Sequence, residues 1–284
     1  MQESNTLKVG GAVTYWRLAK FIELKGLVEN LTDYGYNKFA PSARTPSAAL
    51  RDALEEVFST RKLRVEPLKD KNAFEIIEIE RGEERNYYRH HMWVGIDKLR
   101  QIEVKPYAYD TANHIMEAYN KHLGLVRASA VTQSLLAILA HLNGCALKQG
   151  GHVYWLPADS LVSWRVVGRA VEGAPKHGGT SGVYLLQHQF DAESVKAVKD
   201  GIVEEIRAEA ERMHEEILSN KLGEKALEFR KEELARLGQK IGIYEGLLDT
   251  GLDSLKQHLD TVEQGACAAT LLLSSGAARD TVGV

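Results

Sequence analysis

The densest group of functional side chains lies in residues 87–93, which contain two tyrosines, an arginine, two histidines, a methionine and a tryptophan. Alternate side chains of a β-strand point to the same face, so Tyr87, His91 and Trp93 are predicted to share one face. Arg89 falls on that face too. Such a surface could stack against a base or hold a peptide. The alternative is that these rings pack across a sheet, and adjacent histidines on a strand cannot ligate one metal ion together.

Basic side chains between residues 44 and 89 could contact the phosphates of a nucleic acid, because phosphate binding depends on a local excess of positive charge. Acidic side chains of the same segment, Asp52, Glu55 and Glu66 among them, would repel phosphate, so the alternative is a solvated face of mixed charge. The candidate nucleic-acid-binding residues are Arg44, Arg51, Arg64, Lys69, Lys71, Arg85 and Arg89.

Glu103 and Lys105 have the Glu-x-Lys spacing that occurs in one broad class of magnesium-dependent nucleases. In that chemistry a carboxylate holds the metal and a lysine supports the attacking water. The class also needs an acidic residue on a preceding strand, and only Glu78 or Glu80 fits that requirement loosely. A nuclease is therefore kept as an alternative function.

Other patterns typical of enzymes are missing from the sequence. Neither cysteine belongs to a Cys-x-x-Cys pair, and the remaining histidines show no metal-ligand spacing. The glycine-rich residues 178–182 lack the lysine and hydroxyl of a phosphate-binding loop. We therefore expect no metal, no cofactor and no catalysis of its own.

Composition limits the class of protein further. The 284 residues are enough for one large domain or two smaller ones, and the formal net charge of −3 argues against a protein that coats nucleic acid non-specifically. Two distant cysteines, Cys145 and Cys267, fit a reducing compartment better than a disulfide framework. No secretory signal and no membrane-length apolar run is visible, so we expect a cytoplasmic protein that does not enter a membrane.

These candidate residues need elements that position them. Apolar residues recur at helical spacing over residues 14–31, which predicts a first helix. Thr45 and Pro46 are placed as the N-cap and first residue of a second helix. The period then changes to two, which predicts an antiparallel meander with strands at residues 63–66, 74–79 and 87–96.

A helix, a second helix and a hairpin are predicted again after residue 106, which leaves an internal duplication open as an alternative to chance. The first such unit resembles a winged-helix module, a likeness of general plan that covers residues 14–96 and implies contact with DNA through the second helix and the strands. The second unit has predicted helices at residues 109–123 and 132–143 and strands at 146–148 and 152–156, followed by a helix at 159–171 and a strand at 183–190.

The last third of the chain, residues 191–267, is predicted to be a long helical hairpin. One narrow apolar stripe runs along each arm, as in coiled coils. Residues 191–219 carry nine acidic and four basic side chains, whereas residues 221–240 carry four acidic and six basic ones. Opposite charges favour folding arm on arm, and a partner is expected first at the tip near Asn220.

The sequence thus predicts an α+β fold with two helix-helix-β-hairpin, winged-helix-like units and a long antiparallel helical hairpin. The predicted domains are residues 1–105, 106–190 and 191–284. The expected function is non-enzymatic interaction or assembly, with recognition by the α+β body and homo-oligomerisation or binding of a protein partner through residues 191–267. Winged-helix-type DNA binding remains the first alternative.

Overall fold

The computed structural model describes residues 9–59, 63–69, 72–81, 86–97, 101–148, 150–189, 191–219 and 222–274. The chain is an α+β protein, which confirms the predicted fold class. In chain order its elements are β1 (Val9–Arg17), β2 (Phe21–Glu23), α1 (Leu24–Asp33), α2 (Pro46–Val57), β3 (Leu63–Pro67), β4 (Ala73–Arg81), β5 (Asn86–Ile96), β6 (Ile102–Lys105), α3 (Tyr109–Leu123), β7 (Leu125–Arg127), α4 (Ala128–His141), β8 (Cys145–Ala146), β9 (Tyr154–Pro157), α5 (Leu161–Gly173), β10 (Lys176–His177), β11 (Gly182–Gln189), α6 (Ala192–Leu218), α7 (Glu224–Leu248) and α8 (Asp253–Ser274).

The strands form three sheets within the described residues. Their orders are β11-β1-β9-β8, β10-β2-β7 and β3-β4-β5-β6. The third sheet is the predicted antiparallel meander, extended at its far edge by β6. The predicted second hairpin is also present, because β8 pairs with β9 in antiparallel register.

The prediction of a first helix over residues 14–31 is wrong in its first half. Residues as far as Arg17 form β1, Phe21 and Ile22 belong to β2, and α1 begins only at Leu24. The β-branched and aromatic residues before Arg17 favour an extended chain. Apolar side chains of two short strands therefore reproduced helical spacing by coincidence.

Buried contacts explain why β1 is a strand of the first sheet. Trp164 Nε1 donates a hydrogen bond to Thr14 Oγ1 at 2.7 Å, and that hydroxyl donates to the carbonyl oxygen of Tyr184 at 2.9 Å. At Gly11 a Cβ atom would collide with the ring of Trp155. Only glycine allows β1 and β9 to pair this closely.

Helices α2 and α3 and the third sheet form one hydrophobic core. It contains Leu50 and Leu54 of α2, Ile115 of α3, and Ile76 and Val94 of the sheet, all of them fully buried. The predicted start of α2 is confirmed, because Thr45 Oγ1 accepts a hydrogen bond from the backbone N–H of Ala48 at 3.3 Å and Pro46 is the first helical residue.

The C-terminal helices also follow the predicted pattern. Asp191 caps α6 by accepting a hydrogen bond from the backbone N–H of Ser194 at 2.7 Å. The apolar stripe of α6 is buried against α7, and α8 adds a third helix that packs against both. The predicted hairpin is thus part of a three-helix element. Its buried α6 residues are Val198, Ile202, Ile206, Ala210, Met213 and Ile217.

The three-helix element shares its core with the second hairpin. Cys145 of β8 and Trp155 of β9 belong to the same buried cluster, and the Trp155 ring lies 5.6 Å from that of Tyr244 in α7. One side of the element therefore packs against the hairpin of β8 and β9.

Internal contacts divide the chain into two compact units, each made of several segments. One comprises Met1–Trp16, Leu139–Val166 and Val183–Val284, and the other comprises Arg17–Ile138 and Val167–Gly182. The domain boundaries expected after residues 105 and 190 stay a prediction.

Candidate functional site

Large apolar side chains are exposed at one end of the three-helix element. Leu218 ends α6, Phe229 lies near the start of α7, and Leu271 and Leu272 lie near the end of α8; they are 63%, 53%, 69% and 51% exposed. We call these four residues the tip patch. They lie toward the same end, because a Cβ atom at Gly265 of α8 would be 4.0 Å from Ile217 of α6, and Arg230 of α7 pairs with Glu216 of α6.

Ion pairs align α6 with α7 beneath the tip patch. Arg230 Nη2 lies 2.7 Å from Glu216 Oε2 across the two helices, and Arg230 also pairs with Glu233 on its own helix. Hydrogen bonds from Arg212 to Glu209 and Glu216 raise the pKa of the Arg212 guanidinium. The predicted opposite charges of the two arms therefore meet in the folded chain.

A buried polar network holds the opposite part of the element to the turn before β8. Lys240 Nζ donates to Glu205 Oε1 at 2.5 Å and to the carbonyl oxygen of Gly144 at 2.7 Å, while the backbone N–H of Ala146 donates to Glu205 Oε2. Tyr244 Oη donates to the carbonyl oxygen of Asn143 at 2.7 Å.

The cysteine inside this network is not a reactive thiol. Burial raises the pKa of Cys145 to about 11, and burial also raises the pKa of Tyr244 well above its ordinary value. A thiol attacks as its thiolate, so Cys145 is poorly suited to nucleophilic chemistry.

Most of the candidate phosphate-binding residues that the structure describes are paired with acidic side chains. Arg51 lies 3.0 Å from Glu55, Arg64 lies 2.5 Å from Glu66, and Arg89 lies 3.4 Å from Glu80. Lys69 is exposed. Lys71 and Arg85 lie outside the described residues. Nucleic-acid binding through this set stays a prediction.

Arg44 belongs to a buried ionic cluster rather than to the surface. Its side chain is 9% exposed and pairs with Asp52, which is 1% exposed. Arg127 Nε donates to Asp52 Oδ2 at 3.0 Å from β7. Burial raises the pKa of Asp52, but the hydrogen bond from Arg127 and the charges of both arginines outweigh it and hold the pKa below its ordinary value.

This cluster was missed by sequence reasoning. Its signal is an aspartate on the apolar face of α2, between Leu50 and Leu54, since a carboxylate at such a position needs a partner. Nearby, buried His122 hydrogen-bonds Glu56 at 2.9 Å. Hydrogen bonds from Lys121 and His122 lower the pKa of Glu56 despite its partial burial.

The prediction that Tyr87, Arg89, His91 and Trp93 share one face is wrong, because β5 contains a β-bulge. Ile76 of β4 pairs with Met92, whereas the next residue, Ile77, pairs with His90. The extra residue reverses the alternation before it. Trp93 therefore shares its face with His90 and Tyr88, while Arg89 and Tyr87 lie on the opposite face.

His91 itself is the bulged residue. Its ring meets Phe58 edge to face, with the two ring centroids 6.4 Å apart. The three predicted surface residues Tyr87, His91 and Trp93 are consequently not brought together. His90 instead hydrogen-bonds Glu75 at 2.6 Å on the Trp93 side of the sheet.

Trp93 borders a shallow, open depression at the end of the third sheet. Its indole lies across Gly95, where a Cβ atom would collide with it. Lys105 Nζ lies 4.8 Å from the Trp93 ring centroid and 3.4 Å from Glu103. The depression is lined by Asn72, Ala73, Trp93, Gly95, Ile96, Asp97 and Glu103.

Neither of the two acidic residues considered as partners of the Glu-x-Lys pair lies on its face of the sheet. Glu103 pairs with Gly95 on the Trp93 face, whereas Glu78 pairs with Arg89 and Glu80 with Tyr87 on the other face. Over the described residues, no group of three or more histidine, cysteine, aspartate or glutamate side chains is arranged to hold a metal ion. Among the described helices, none has both the length and the apolar character needed to cross a bilayer.

Fold and surface together define a class: an α+β protein with a three-helix C-terminal element that exposes apolar side chains at its tip. The chain belongs to a family described as a family of unknown function, DUF6744, whose profile matches residues 9–274. No curated protein and no solved structure matches the chain.

Proposed function

We propose that this protein is an assembly protein that binds another polypeptide through the tip patch and performs no catalysis of its own. The observation that carries this proposal is the exposure of Leu218, Phe229, Leu271 and Leu272 at one end of the three-helix element. Exposed apolar groups rimmed by polar residues mark protein interaction sites. Lys225 and Glu228, both exposed near Phe229, supply such a rim.

The rest of the three-helix element supports this role by holding the tip rigid. The Arg230–Glu216 pair and the buried stripe of α6 fix the helices beneath the patch. Binding at the patch would therefore cost little additional conformational entropy. We also propose a cytoplasmic location, which the two free cysteines support.

Site-specific photo-cross-linking tests the proposal. A photoreactive phenylalanine analogue replaces Phe229 in the full chain, and cross-linked polypeptides are identified by mass spectrometry in cells that produce it. We expect one dominant cross-linked partner, which is either a second copy or another protein.

The matched control places the same analogue at Val162 of α5, which is 70% exposed and outside the tip patch. Cross-linking from position 229 that does not exceed the level at position 162 would contradict the proposal. A further variant, Phe229→Glu, should abolish the complex without lowering the melting temperature, because Phe229 is exposed and contributes little to the core.

A further inference from the structure

One edge strand differs from all the others in the described part of the chain. The three sheets end in β11 and β8, β10 and β7, and β3 and β6. Strands β8 and β10 have two residues, β7 has three and β6 has four. The five-residue β3 carries Arg64, Glu66 and Pro67. Short length, charge and proline are the usual protections of a sheet edge.

Strand β11 has none of these protections. It is eight residues long and reads Gly-Val-Tyr-Leu-Leu-Gln-His-Gln, with no lysine, arginine, aspartate, glutamate or proline. Two of its residues, Val183 and Tyr184, are of the β-branched and aromatic types that favour strands. An edge strand of this length without charged side chains can form backbone hydrogen bonds with a strand of another chain.

An apolar surface accompanies this edge. Tyr184 and Leu186 point to the same side of β11 and are exposed, and the Tyr184 ring stacks on exposed Tyr15 of β1 with centroids 4.9 Å apart. A strand added next to β11 would extend the sheet and would bring its own side chains beside Leu186.

We propose that β11 pairs in antiparallel fashion with β11 of a second copy of this chain, so that the β11-β1-β9-β8 sheets of two copies form one continuous sheet. Antiparallel self-pairing about a two-fold axis sets each residue opposite a residue of the same strand. Since β11 carries no side chain with a permanent charge, no like charges oppose each other. A charged peptide from another protein would find no complementary charge on this strand.

Cysteine cross-linking maps such a pair residue by residue. In a Cys267→Ser background, cysteine replaces each of residues 183–187 in turn, and dilute protein is oxidised. Opposite residues of an antiparallel pair have Cα atoms about 4.5–5.5 Å apart, which is within disulfide range. Covalent dimer should therefore peak at one position and fall on both sides of it. The control, Val162→Cys, should give no such dimer.

Mass in solution provides the second measurement. The unmodified protein should be a dimer by light scattering. Leu186→Lys should weaken self-association by roughly tenfold or more, because each copy loses a leucine that pairing would bury and gains a charge. Leu186→Val should remain dimeric. Circular dichroism should show the same fold for all three proteins, since Leu186 is exposed in the single chain.

A protein that is monomeric at all concentrations, or a dimer that neither cross-links within residues 183–187 nor responds to Leu186→Lys, would overturn the proposal. The outcome is separate from that of the tip patch. Phe229→Glu should leave the β11 pair intact, and Leu186→Lys should leave photo-cross-linking from position 229 unchanged if the partner there is another protein.

Discussion

At the scale of single residues, the most consequential side chain is Asp52. It is buried on the apolar face of α2 and joins Arg44 from the preceding loop to Arg127 from β7. One carboxylate thus connects α2 and the loop before it to β7, which lies much later in the sequence. A buried charge of this kind is stable only while its partners remain, because desolvation is not otherwise compensated.

Replacing Asp52 with asparagine should destabilise the fold. The neutral amide would leave the buried Arg44 guanidinium without a counter-charge, and we expect the free energy of unfolding to fall by about 3 kcal/mol. Urea denaturation measures this loss. The matched control is Glu29→Gln, which breaks the exposed Lys25–Glu29 pair and should change stability by less than about 0.5 kcal/mol. Equal effects of the two changes would argue against a structural role for the cluster.

The same variant gives a pH dependence whose sign follows from the lowered pKa of Asp52. A carboxylate with a lowered folded-state pKa stabilises the protein fully above its unfolded pKa, about 4, and the stabilisation is lost as pH falls through the folded value. The difference in stability between the unmodified protein and Asp52→Asn should therefore be constant near neutral pH and shrink below about pH 4. A difference that grows on acidification would reject this explanation.

At the scale of elements, α7 serves two purposes along its length. Its first half carries Phe229 and the Arg230 ion pair at the tip, and its second half carries Lys240 and Tyr244, which hold the turn before β8. The turn needs this support, since Asn143 has a positive φ of 57°. Lys240 and Tyr244 donate to the carbonyl oxygens of Gly144 and Asn143 in this turn, and a buried carbonyl needs such a donor.

Replacing Lys240 with methionine tests this connection. The change keeps the volume of the buried side-chain stem but leaves the Gly144 carbonyl oxygen and Glu205 Oε1 without the lysine donor. We therefore expect the free energy of unfolding to fall by about 2 kcal/mol. In a double-mutant cycle, Glu205→Gln should cost less in the Lys240→Met background than alone, because the two side chains are in contact. Arg236→Met, at an exposed position of the same helix, is the control. Additive effects at positions 205 and 240 would show that the pair is not coupled.

At the scale of the whole molecule, the two ends of the three-helix element differ in what they contact. Near β8 and β9 it shares a core with Cys145 and Trp155, whereas its tip carries exposed apolar groups. The end near β8 and β9 therefore contributes to the core, and the proposed binding role belongs to the other end.

Deletion of residues 191–284 should for this reason disrupt more than assembly. It exposes Cys145, Trp155 and Val13, which pack against the removed helices, so we expect an aggregation-prone protein. Dye binding to apolar surface and the emission maximum of tryptophan fluorescence measure the exposure. Triple substitution of Leu218, Phe229 and Leu271 by serine in the full chain should instead leave the protein soluble. A soluble, folded truncated chain would contradict the shared core.

Local signals made much of the fold predictable from the sequence. Thr45 and Pro46 marked the start of α2, Asp191 marked the start of α6, and the stripe from Val198 to Ile217 is buried as its spacing predicted. Each of these depends on residues within one or two turns of a helix. Such signals are readable because the interactions that produce them are local.

Non-local interactions account for what the sequence did not reveal. The single extra residue at His91 reversed the faces of Tyr87 and Arg89, and nothing in the composition of β5 marks a bulge. Likewise, Arg44 looked like a surface charge because its partner Asp52 becomes buried only when α2 packs. A partner was expected at the tip near Asn220, which lies outside the described residues, but exposed leucines of α8 at that end were not anticipated.

The pairing of β1 with β9 has a consequence for how the chain is made. Val13 faces Trp155 across these strands, so about 140 residues must leave the ribosome after β1 before its neighbour exists. At roughly 5–20 residues per second, that interval is on the order of ten seconds. During synthesis the segment with Val13, Tyr15 and Trp16 therefore lacks its partner strand for that time, and nascent-chain chaperones can bind it.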